Sequence, residues 1–246
     1  MSAEQKPGSK PRLLDLFCGA GGAAMGYHRA GFEVVGVDIA MQPNYPFQFF
    51  RGDATRRSQW PPFHFDAIHA SPPCQAYSVL RRANPEAEYA DLIAPTRELL
   101  EQTGLPWVIE NVPGSPTRHL TVLCGSMFGL GARSGDGKKT AVEWRELRRH
   151  RNFETSFPMM SPPCYHQGEA LGVYGGGPVG RYTLENGAKK DRYGWRGGYQ
   201  GTVAEKSEAM EINWMSATEL NQAIPPAYTE FIGTQLMAHL KATVAA

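Results

Sequence analysis

The fold is decided by Arg12-Leu13-Leu14-Asp15-Leu16-Phe17, an apolar run that leads into the turn Cys18-Gly19-Ala20-Gly21-Gly22. A short apolar run that ends in glycine is typical of a buried strand in a parallel sheet. The segment from Gly22 to Ala30 favours a helix that stops at Gly31, and Phe32 to Ile39 is a second strand-like run. The sequence therefore predicts a βαβ unit at the start of the fold.

The alternation of strands and helices continues along the chain. Phe65 to Ala70 and Pro106 to Glu110 are strand-like runs, and Ala87 to Gln102, between them, favours a helix. Strands that alternate with helices are typical of a doubly wound sheet. The sequence predicts an α/β fold with a doubly wound, mostly parallel, Rossmann-like sheet and a small irregular Gly-rich subdomain.

Four regions are predicted along the chain. Residues 1–10 are polar and are expected to form a disordered leader, and residues 11–155 are expected to form the main α/β domain. Residues 156–213 are rich in glycine and aromatic residues, which predicts the small irregular subdomain. Residues 214–246 contain Pro225-Pro226 followed by apolar residues at helical spacing, so we expect a helix that packs back on the main domain.

Composition limits the classes of function. Of the 246 residues, 41% are hydrophobic and 20% are charged, which is typical of a globular protein, and no apolar run approaches the roughly 20 residues of a membrane span. The cysteines form no C-x-x-C pair, which fits reduced thiols in a cytoplasm. We expect a soluble, cytoplasmic monomer. Because the net charge is only +1, any contact with nucleic acid has to be local, at basic clusters such as Arg145 to Arg151 or Arg181 to Arg196.

The glycine-rich turn predicts a nucleotide-like cofactor. Glycines between a strand and a helix let the backbone approach a ligand, and an acid at the end of the next strand, here Asp38, can accept hydrogen bonds from ribose hydroxyls. Asp53 is placed to meet an adenine. The turn lacks the Lys-Ser/Thr of a triphosphate-binding loop. On these residues alone, NAD and S-adenosylmethionine both remain open.

Cys74 follows Ser71-Pro72-Pro73 at the predicted end of a strand, the edge of a sheet where α/β proteins bind ligands. Glu110 ends the next predicted strand, so its carboxyl group could face the same cleft. A nucleophilic thiol beside a proton-donating carboxyl group fits attack on C6 of a cytosine ring, with relief of negative charge at N3. Taken singly, the cysteine would more often be a small buried apolar side chain.

Four segments carry characteristic residues in a fixed order: Asp15-Leu16-Phe17-Cys18-Gly19-Ala20-Gly21-Gly22, Ser71-Pro72-Pro73-Cys74-Gln75-Ala76-Tyr77-Ser78, Glu110-Asn111-Val112 and Arg149-His150-Arg151-Asn152-Phe153. They resemble the motifs of the cytosine-5 DNA methyltransferases. The resemblance covers about residues 12 to 155 and the segment from Trp214 to Leu236. It implies the fold of class I methyltransferases that use S-adenosylmethionine, and transfer of a methyl group to carbon 5 of cytosine in DNA.

The resemblance also implies roles for single residues. Cys74 would add to C6 of a flipped-out cytosine, Glu110 would engage N3 and the exocyclic amine, and Asn111 would order the loop around Glu110. Arg151, with Arg149 nearby, would contact the base O2 and support Cys74. Flipping costs a few kcal/mol of stacking, which the pocket and a closing loop of residues 75–88 would offset.

Two sets of binding residues follow from the same resemblance. S-adenosylmethionine would be bound by Phe17, Gly19, Ala20, Gly21, Gly22, Asp38, Ile39, Asp53, Ala54 and Ser71. Double-stranded DNA would be contacted by Pro73, Gln75, Ser78, Asn111, Arg181, Trp195 and Arg196.

The sequence departs from the family in two places. Only about 60 residues, Thr155 to Asn213, are available where the family usually has a target-recognition domain of a hundred or more. We therefore expect a recognition site of roughly two to four base pairs. Asn221-Gln222 stands where the family commonly has Gly-Asn, which puts that contact in doubt. This compressed end resembles short phage-borne members of the family.

A second Ser-Pro-Pro-Cys segment ends in Cys164. It follows no clear strand and comes after the arginine motif, so we expect a loop cysteine and not the nucleophile. Cys164 could bind a metal with His166, His150 and Cys124, but C-x-H lacks the paired spacing of zinc sites. We therefore expect no metal.

Three other functions fit the sequence less well. The nearest is the same chemistry on RNA, because a relative that methylates transfer RNA shares a Pro-Pro-Cys-Gln segment. A non-catalytic DNA-binding relative is disfavoured because Cys74 and Glu110 are both present. An NAD-dependent oxidoreductase would leave that pair without a role.

Overall fold

The computed structural model describes residues 9–77, 89–119, 121–134, 143–174, 181–183, 189–191 and 199–244. Its strands are β1 (Arg12–Leu16), β2 (Glu33–Asp38), β3 (Gln48–Arg51), β4 (Ala67–Ala70), β5 (Trp107–Asn111), β6 (Thr121–Leu123), β7 (Gly131–Ser134), β8 (Glu143–Leu147), β9 (Arg151–Thr155), β10 (Glu169–Gly172), β11 (Arg181–Thr183), β12 (Lys189–Asp191) and β13 (Tyr199–Gln200). Its α-helices are α1 (Gly22–Arg29), α2 (Ile93–Glu101), α3 (Val203–Met210), α4 (Ala217–Gln222) and α5 (Pro226–Val244).

A seven-stranded sheet, as far as the described residues extend, forms the centre of the molecule in the order β3-β2-β1-β4-β5-β9-β6. Strands β1 to β5 are parallel, whereas β9 runs antiparallel to both β5 and β6. Side chains of β1 are buried on both faces: Leu13 lies in one apolar cluster, and Leu14 and Leu16 lie in another. This burial explains the continuous apolar run, since parallel strands are covered on both sides. The prediction of a doubly wound, mostly parallel α/β sheet is confirmed.

A second sheet has the order β13-β10-β8-β7 and lies beside the first. It combines β7 and β8, which precede residue 155, with β10 and β13, which follow it. Strands β11 and β12 pair as a separate antiparallel ladder. The main α/β region and the glycine-rich region therefore share a sheet.

The C-terminal helix α5 packs against α1 through small residues. A Cβ atom at Gly26 would collide with Pro226 O and with Oγ1 of Thr229, so only glycine permits this approach. Thr229 Oγ1 donates to Ala23 O at 2.8 Å, and the fully buried Tyr228 ring meets Phe153 of β9 edge to face. The end of the chain thus covers one face of the central sheet.

Two local features differ from the sequence interpretation. The helix expected from Ala87 begins at Ile93, whose N–H donates to Oδ1 of Asp91 at 3.0 Å. Residues 89–92 are not helical, and residues 87 and 88 lie outside the described residues. Strand β3, which the sequence analysis did not propose, is only four residues long and half-exposed. No helix in the described part of the chain is long and apolar enough to cross a membrane.

Candidate active site

One edge of the central sheet collects the residues that the motifs identify. Because β1, β2, β4 and β5 are parallel, the segments that follow them emerge at the same edge. Strand β9 is antiparallel, and its register pairs Asn152 with Asn111, so β9 starts where β5 ends. The reversal brings Arg151 next to Glu110.

Glu110 and Arg151 form a largely buried ion pair. Arg151 Nε lies 3.0 Å from Glu110 Oε1, and Glu110 is 7% exposed. Burial raises the pKa of Glu110 above its usual value, whereas the charge of Arg151 and a hydrogen bond from Ser71 act in the lowering direction. A carboxyl group with a raised pKa holds a proton more readily, which suits Glu110 to proton donation.

Cys74 is a free, half-buried thiol in the turn after β4. Its carbonyl oxygen accepts a hydrogen bond from Tyr77 N at 3.0 Å. Burial, followed by the charge of Glu110, raises the pKa of the thiol, and the charges of Arg151 and Arg149 oppose the rise. Cys74 is therefore protonated at neutral pH in this state, and both arginines favour its thiolate.

Asn111 joins the cysteine turn to the glutamate strand. Its Nδ2 donates to Pro72 O at 2.9 Å, and its Oδ1 accepts from Val112 N at 2.9 Å. The side chain is 1% exposed. Asn111 thus fixes the relative positions of the segments that carry Cys74 and Glu110.

Tyr27 and His69 extend the site into the core, and the sequence interpretation missed both. Tyr27 Oη lies 3.0 Å from His69 Nδ1, and His69 Nε2 lies 2.9 Å from Ser71 Oγ, which also bonds Glu110. Burial lowers the pKa of His69 to about 3, so the ring is neutral. A neutral ring that accepts from Tyr27 at Nδ1 has its proton on Nε2 and donates it to Ser71. Ser71 is then free to donate to Glu110. A histidine at a β-strand position beside the Ser-Pro-Pro-Cys motif is the signal that could have revealed this chain of hydrogen bonds.

Arg149 has a different environment from the one expected. Its guanidinium donates to Val173 O at 2.5 Å and to Asn221 O at 2.7 Å, and it is 6% exposed. Burial lowers its pKa to about 9. Tyr228 Oη donates to the carbonyl oxygen of Arg149 at 2.6 Å. Arg149 thus ties β10, the Asn221 segment and α5 together, with Arg151 as the arginine in contact with Glu110.

The glycine-rich turn is held by hydrogen bonds to Asp38. Gly19 N donates to Asp38 Oδ2 at 3.0 Å, and Ala40 N donates to Oδ1 at 2.9 Å. Gly21 has a φ of 85°, and a Cβ atom there would lie 2.8 Å from the side chain of Pro46, so glycine is required. Trp214 Nε1 donates to Ala20 O at 2.9 Å. The glycine-rich turn is therefore held by Asp38 in the N-terminal part of the chain and by Trp214 in the C-terminal part.

Four further residues that were predicted to bind the cofactor differ in exposure and in their partners. Ile39 is 67% exposed, and Phe17 is half-buried with a φ of 57°. Ala54 is buried, with its carbonyl oxygen bonded to Trp60 Nε1. The carboxylate of Asp53 accepts from Thr55 and pairs with Arg56 at 3.1 Å, contacts that lower its pKa. Asp53 is therefore already engaged within its own loop.

The residues expected to contact DNA are described in part. Pro73 and Gln75 are exposed beside Cys74, and Arg181 begins β11. Ser78, Trp195 and Arg196 lie outside the described residues, as do residues 78–88 of the expected closing loop and residues 1–8 of the expected leader.

Cys164 lies in a separate cluster with three other potential metal ligands. It is an exposed loop residue whose Sγ is near the side chains of His150, His166 and Cys124. The ligand atoms of these four residues all lie within 4.8 Å of one another. The sequence analysis named these four residues as possible ligands but expected no metal, because C-x-H lacks paired spacing; the fold brings the four together from three segments.

The strand order defines a doubly wound, mostly parallel α/β fold that is similar to the fold of solved methyltransferase structures. At 15% identity, a structure described as a DNA modification methyltransferase encoded within an E. coli prophage aligns with 94% of this chain and 99% of its own, with a TM-score of 0.54. The structure of S. pombe Dnmt2 methyltransferase aligns with 94% of this chain and 99% of its own at 14% identity, with a TM-score of 0.55. Residues 12–120 match the model of the C-5 cytosine-specific DNA methylase family. The curated proteins gave no match.

Proposed function

We propose that the protein transfers a methyl group from S-adenosylmethionine to carbon 5 of cytosine in double-stranded DNA, through a covalent intermediate on Cys74. The observation that carries the proposal is the meeting of Cys74, Glu110 and Arg151 at one sheet edge, next to the glycine-rich turn. This arrangement supplies a nucleophile, a carboxyl group able to hold a proton, and a positive charge that acts on both.

The cofactor site fits the nucleoside part of S-adenosylmethionine. Asp38 uses one lone pair of each carboxylate oxygen on backbone N–H groups and retains others for ribose hydroxyls. The exposed Ile39 side chain offers an apolar surface to the adenine, and a Cβ atom at Gly19 would point into open space. We assign the cofactor to Phe17, Gly19, Ala20, Gly21, Gly22, Asp38, Ile39, Asp53, Ala54 and Ser71. When bound, S-adenosylmethionine supplies the methyl group that carbon 5 accepts.

The chain's own groups carry the addition. Cys74 gives its proton to water, and its thiolate forms a bond to C6 of a flipped-out cytosine while the C5–C6 double-bond electrons move through the ring and N3 takes the proton of Glu110. Carbon 5 becomes nucleophilic and is methylated. Water then removes the C5 proton, the C6–S bond breaks to release the thiolate, and N3 returns its proton to Glu110, which restores the aromatic ring; the thiolate takes a proton from water.

Arg151 and Arg149 favour the attacking form of the thiol. Both charges act to lower the pKa of Cys74, against burial and Glu110. A protonated Glu110 no longer repels the thiolate, so proton uptake by Glu110 helps the attack. Arg151 contacts Glu110, and we assign to it a contact with O2 of the cytosine. We assign to Arg149 a positioning role, through its hydrogen bonds to the carbonyl oxygens of Val173 and Asn221.

We assign DNA binding to the side of the site where Pro73 and Gln75 are exposed. Residues 75–88 are proposed to close over the flipped base, with Ser78 among its contacts. Residues 156–213, including Arg181, Trp195 and Arg196, are proposed as the target-recognition region, and residues 11–155 and 214–246 as the catalytic frame. Glycines and aromatic side chains suit close contact with bases and phosphates.

The test is trapping of the covalent intermediate. The full chain is incubated with S-adenosylmethionine and duplex DNA containing 5-fluorocytosine, whose fluorine cannot leave as a proton does. An adduct that survives denaturation is expected with the wild type and is expected to be absent from Cys74→Ser. Peptide mapping of the adduct is expected to find the base on Cys74 and not on Cys164.

Tritiated S-adenosylmethionine with matched DNA and RNA duplexes tests the substrate. Label in DNA alone is expected. Label in RNA alone would overturn the assigned substrate but keep the chemistry, and full methylation by Cys74→Ser would overturn the covalent mechanism.

A further inference from the structure

Four side chains with metal-binding atoms converge in a cluster that does not include Cys74. They come from the turn after β6 (Cys124), the residue before β9 (His150) and the loop between β9 and β10 (Cys164 and His166). Cys164 Sγ lies 3.1 Å from Nε2 of His166 and 3.6 Å from Nε2 of His150, and Cys124 Sγ lies 3.4 Å from Nε2 of His166. We propose that these four residues bind one structural zinc ion.

The distances match a tetrahedral site. With Zn–S bonds of about 2.3 Å and Zn–N bonds of about 2.0–2.1 Å, a tetrahedron places sulfur about 3.6 Å from nitrogen. The three sulfur–nitrogen distances in this cluster lie close to that value. Two thiolates and two imidazoles are a ligand set that zinc prefers, and both histidines present Nε2. Four protein ligands complete the coordination, which is the pattern of a structural site.

Hydrogen bonding alone explains the cluster poorly. Cys164 Sγ has three neighbours within bonding distance, namely Ser126 Oγ at 3.6 Å and the two histidine nitrogens. A thiol has one weakly donated proton and a weakly accepting sulfur, so it satisfies three polar neighbours poorly. A thiolate bound to zinc needs no proton, and the Ser126 hydroxyl, 3.3 Å from Cys124 Sγ, can donate to either sulfur.

The loop that carries Cys164 and His166 needs such a link. Residues 158–167 form neither helix nor strand, and each of residues 160–168 is exposed. The ends of this loop are held by polar contacts: the Gln235 side chain bonds the backbone of Met160, and Gln167 N donates to Glu146 Oε1. Almost no apolar burial offsets the entropy of ordering the residues between these contacts. A metal ion that crosslinks the loop to Cys124 and His150 would supply that stabilisation.

The zinc content of the purified full chain tests the proposal. The protein is expressed with added zinc, purified under reducing conditions and analysed by mass spectrometry for metals. About one zinc ion per chain is expected for the wild type, and a fall of about tenfold or more is expected for Cys164→Ser and for His166→Gln. Both residues are exposed, so these variants are expected to fold. Circular dichroism checks the fold.

Matched controls replace a cysteine and a histidine outside the cluster. Cys74→Ser and His64→Gln are expected to keep about one zinc ion per chain. Because Cys74→Ser is the variant expected to be inactive, zinc binding and methyl transfer are scored independently. Replacement of zinc by Co²⁺ is expected to give the visible absorption of tetrahedral cobalt with a thiolate charge-transfer band, and Cys164→Ser is expected to lose this spectrum.

Three results would overturn the zinc site. The first is a wild-type chain without zinc that also fails to give the cobalt spectrum. The second is a full zinc equivalent in Cys164→Ser or His166→Gln. The third is a disulfide between Cys124 and Cys164 in protein purified without reductant, together with no metal after reduction in the presence of zinc.

Discussion

Arg151 Nε lies 3.0 Å from Oε1 of Glu110, a contact that joins the first residue of β9 to the fourth residue of β5. Because the two strands are antiparallel, β9 begins at the sheet edge where β5 ends. Arg151 therefore lies beside Glu110. The pair is shielded from solvent, and the arginine acts on the pKa values of both Glu110 and Cys74.

Arg151→Ala is expected to slow methyl transfer and to move its pH dependence to higher pH. Arg151 lowers the pKa of Cys74, so its removal raises that pKa and requires a more alkaline solution for the same fraction of thiolate. By analogy with the loss of one charge-stabilising group, the rate falls by about a hundredfold or more. Single-turnover rates measured across pH check this. Arg151→Lys, which retains the charge, is the control, and an unshifted pH profile in Arg151→Ala would contradict the assigned role.

Tyr27→Phe is expected to lower stability and to disturb the site from a distance. The substitution leaves Nδ1 of the fully buried His69 without its hydrogen bond, which costs about 1–3 kcal/mol. Urea unfolding measures the loss. Tyr165→Phe changes an exposed tyrosine and is expected to have no effect. Equal midpoints for the two variants would show that the Tyr27 hydroxyl contributes nothing.

Asp15→Asn is expected to flatten the pH dependence of folding stability. Burial raises the pKa of Asp15 from 3.8 to about 8, so the folded chain holds a proton that the unfolded chain releases as pH rises through this interval. Stability of the wild type therefore falls with rising pH in that window, by about 1–2 kcal/mol between pH 6.5 and 8. His69 opposes this fall by about 0.4 kcal/mol at most, because its ring is neutral in the folded state and only half protonated at pH 6.5 in the unfolded state. Urea unfolding at the two pH values checks the slope, and an equally steep fall in Asp15→Asn would refute the assignment to Asp15.

Glu154→Gln is expected to destabilise the protein by about 3–5 kcal/mol, because it leaves the buried Arg97 guanidinium without its counterion. Glu154 pairs with Arg97 at 2.5 Å and also accepts from Arg118 N at 2.7 Å. Glu33→Gln breaks an ion pair with Arg12 in which the Glu33 side chain is 45% exposed, and it is expected to cost at most about 1 kcal/mol. Guanidinium unfolding compares the two, and similar losses would rule out a special role for the buried pair.

Much of the fold followed from local sequence. The apolar run of β1 and the glycines after it determine a buried parallel strand and a tight turn, and both depend on neighbours close in the chain. The start of α2 was misplaced because the capping interaction of Asp91 outweighed helix propensity in residues 89–92. Strand β3 was missed because its pairing with β2 depends on tertiary context.

Within the site, motif order identified Cys74, Glu110 and Arg151, but it could not give the partners of Arg149. Those partners are backbone carbonyl groups at Val173 and Asn221, and any residue type can provide a carbonyl group. The four residues around Cys164 were named as possible metal ligands, but their spacing could not show that they meet. Cys124 and His166 are 42 residues apart in the chain, and only the fold brings them together.

The hydrogen bond from Trp214 Nε1 to Ala20 O spans 194 residues. During synthesis on the ribosome, the glycine-rich turn emerges early but gains this support only after most of the chain has been made. Contacts of such long sequence separation slow folding, because a long loop must close before they form. The glycine-rich turn therefore has its full set of contacts only once the distant Trp214 is present.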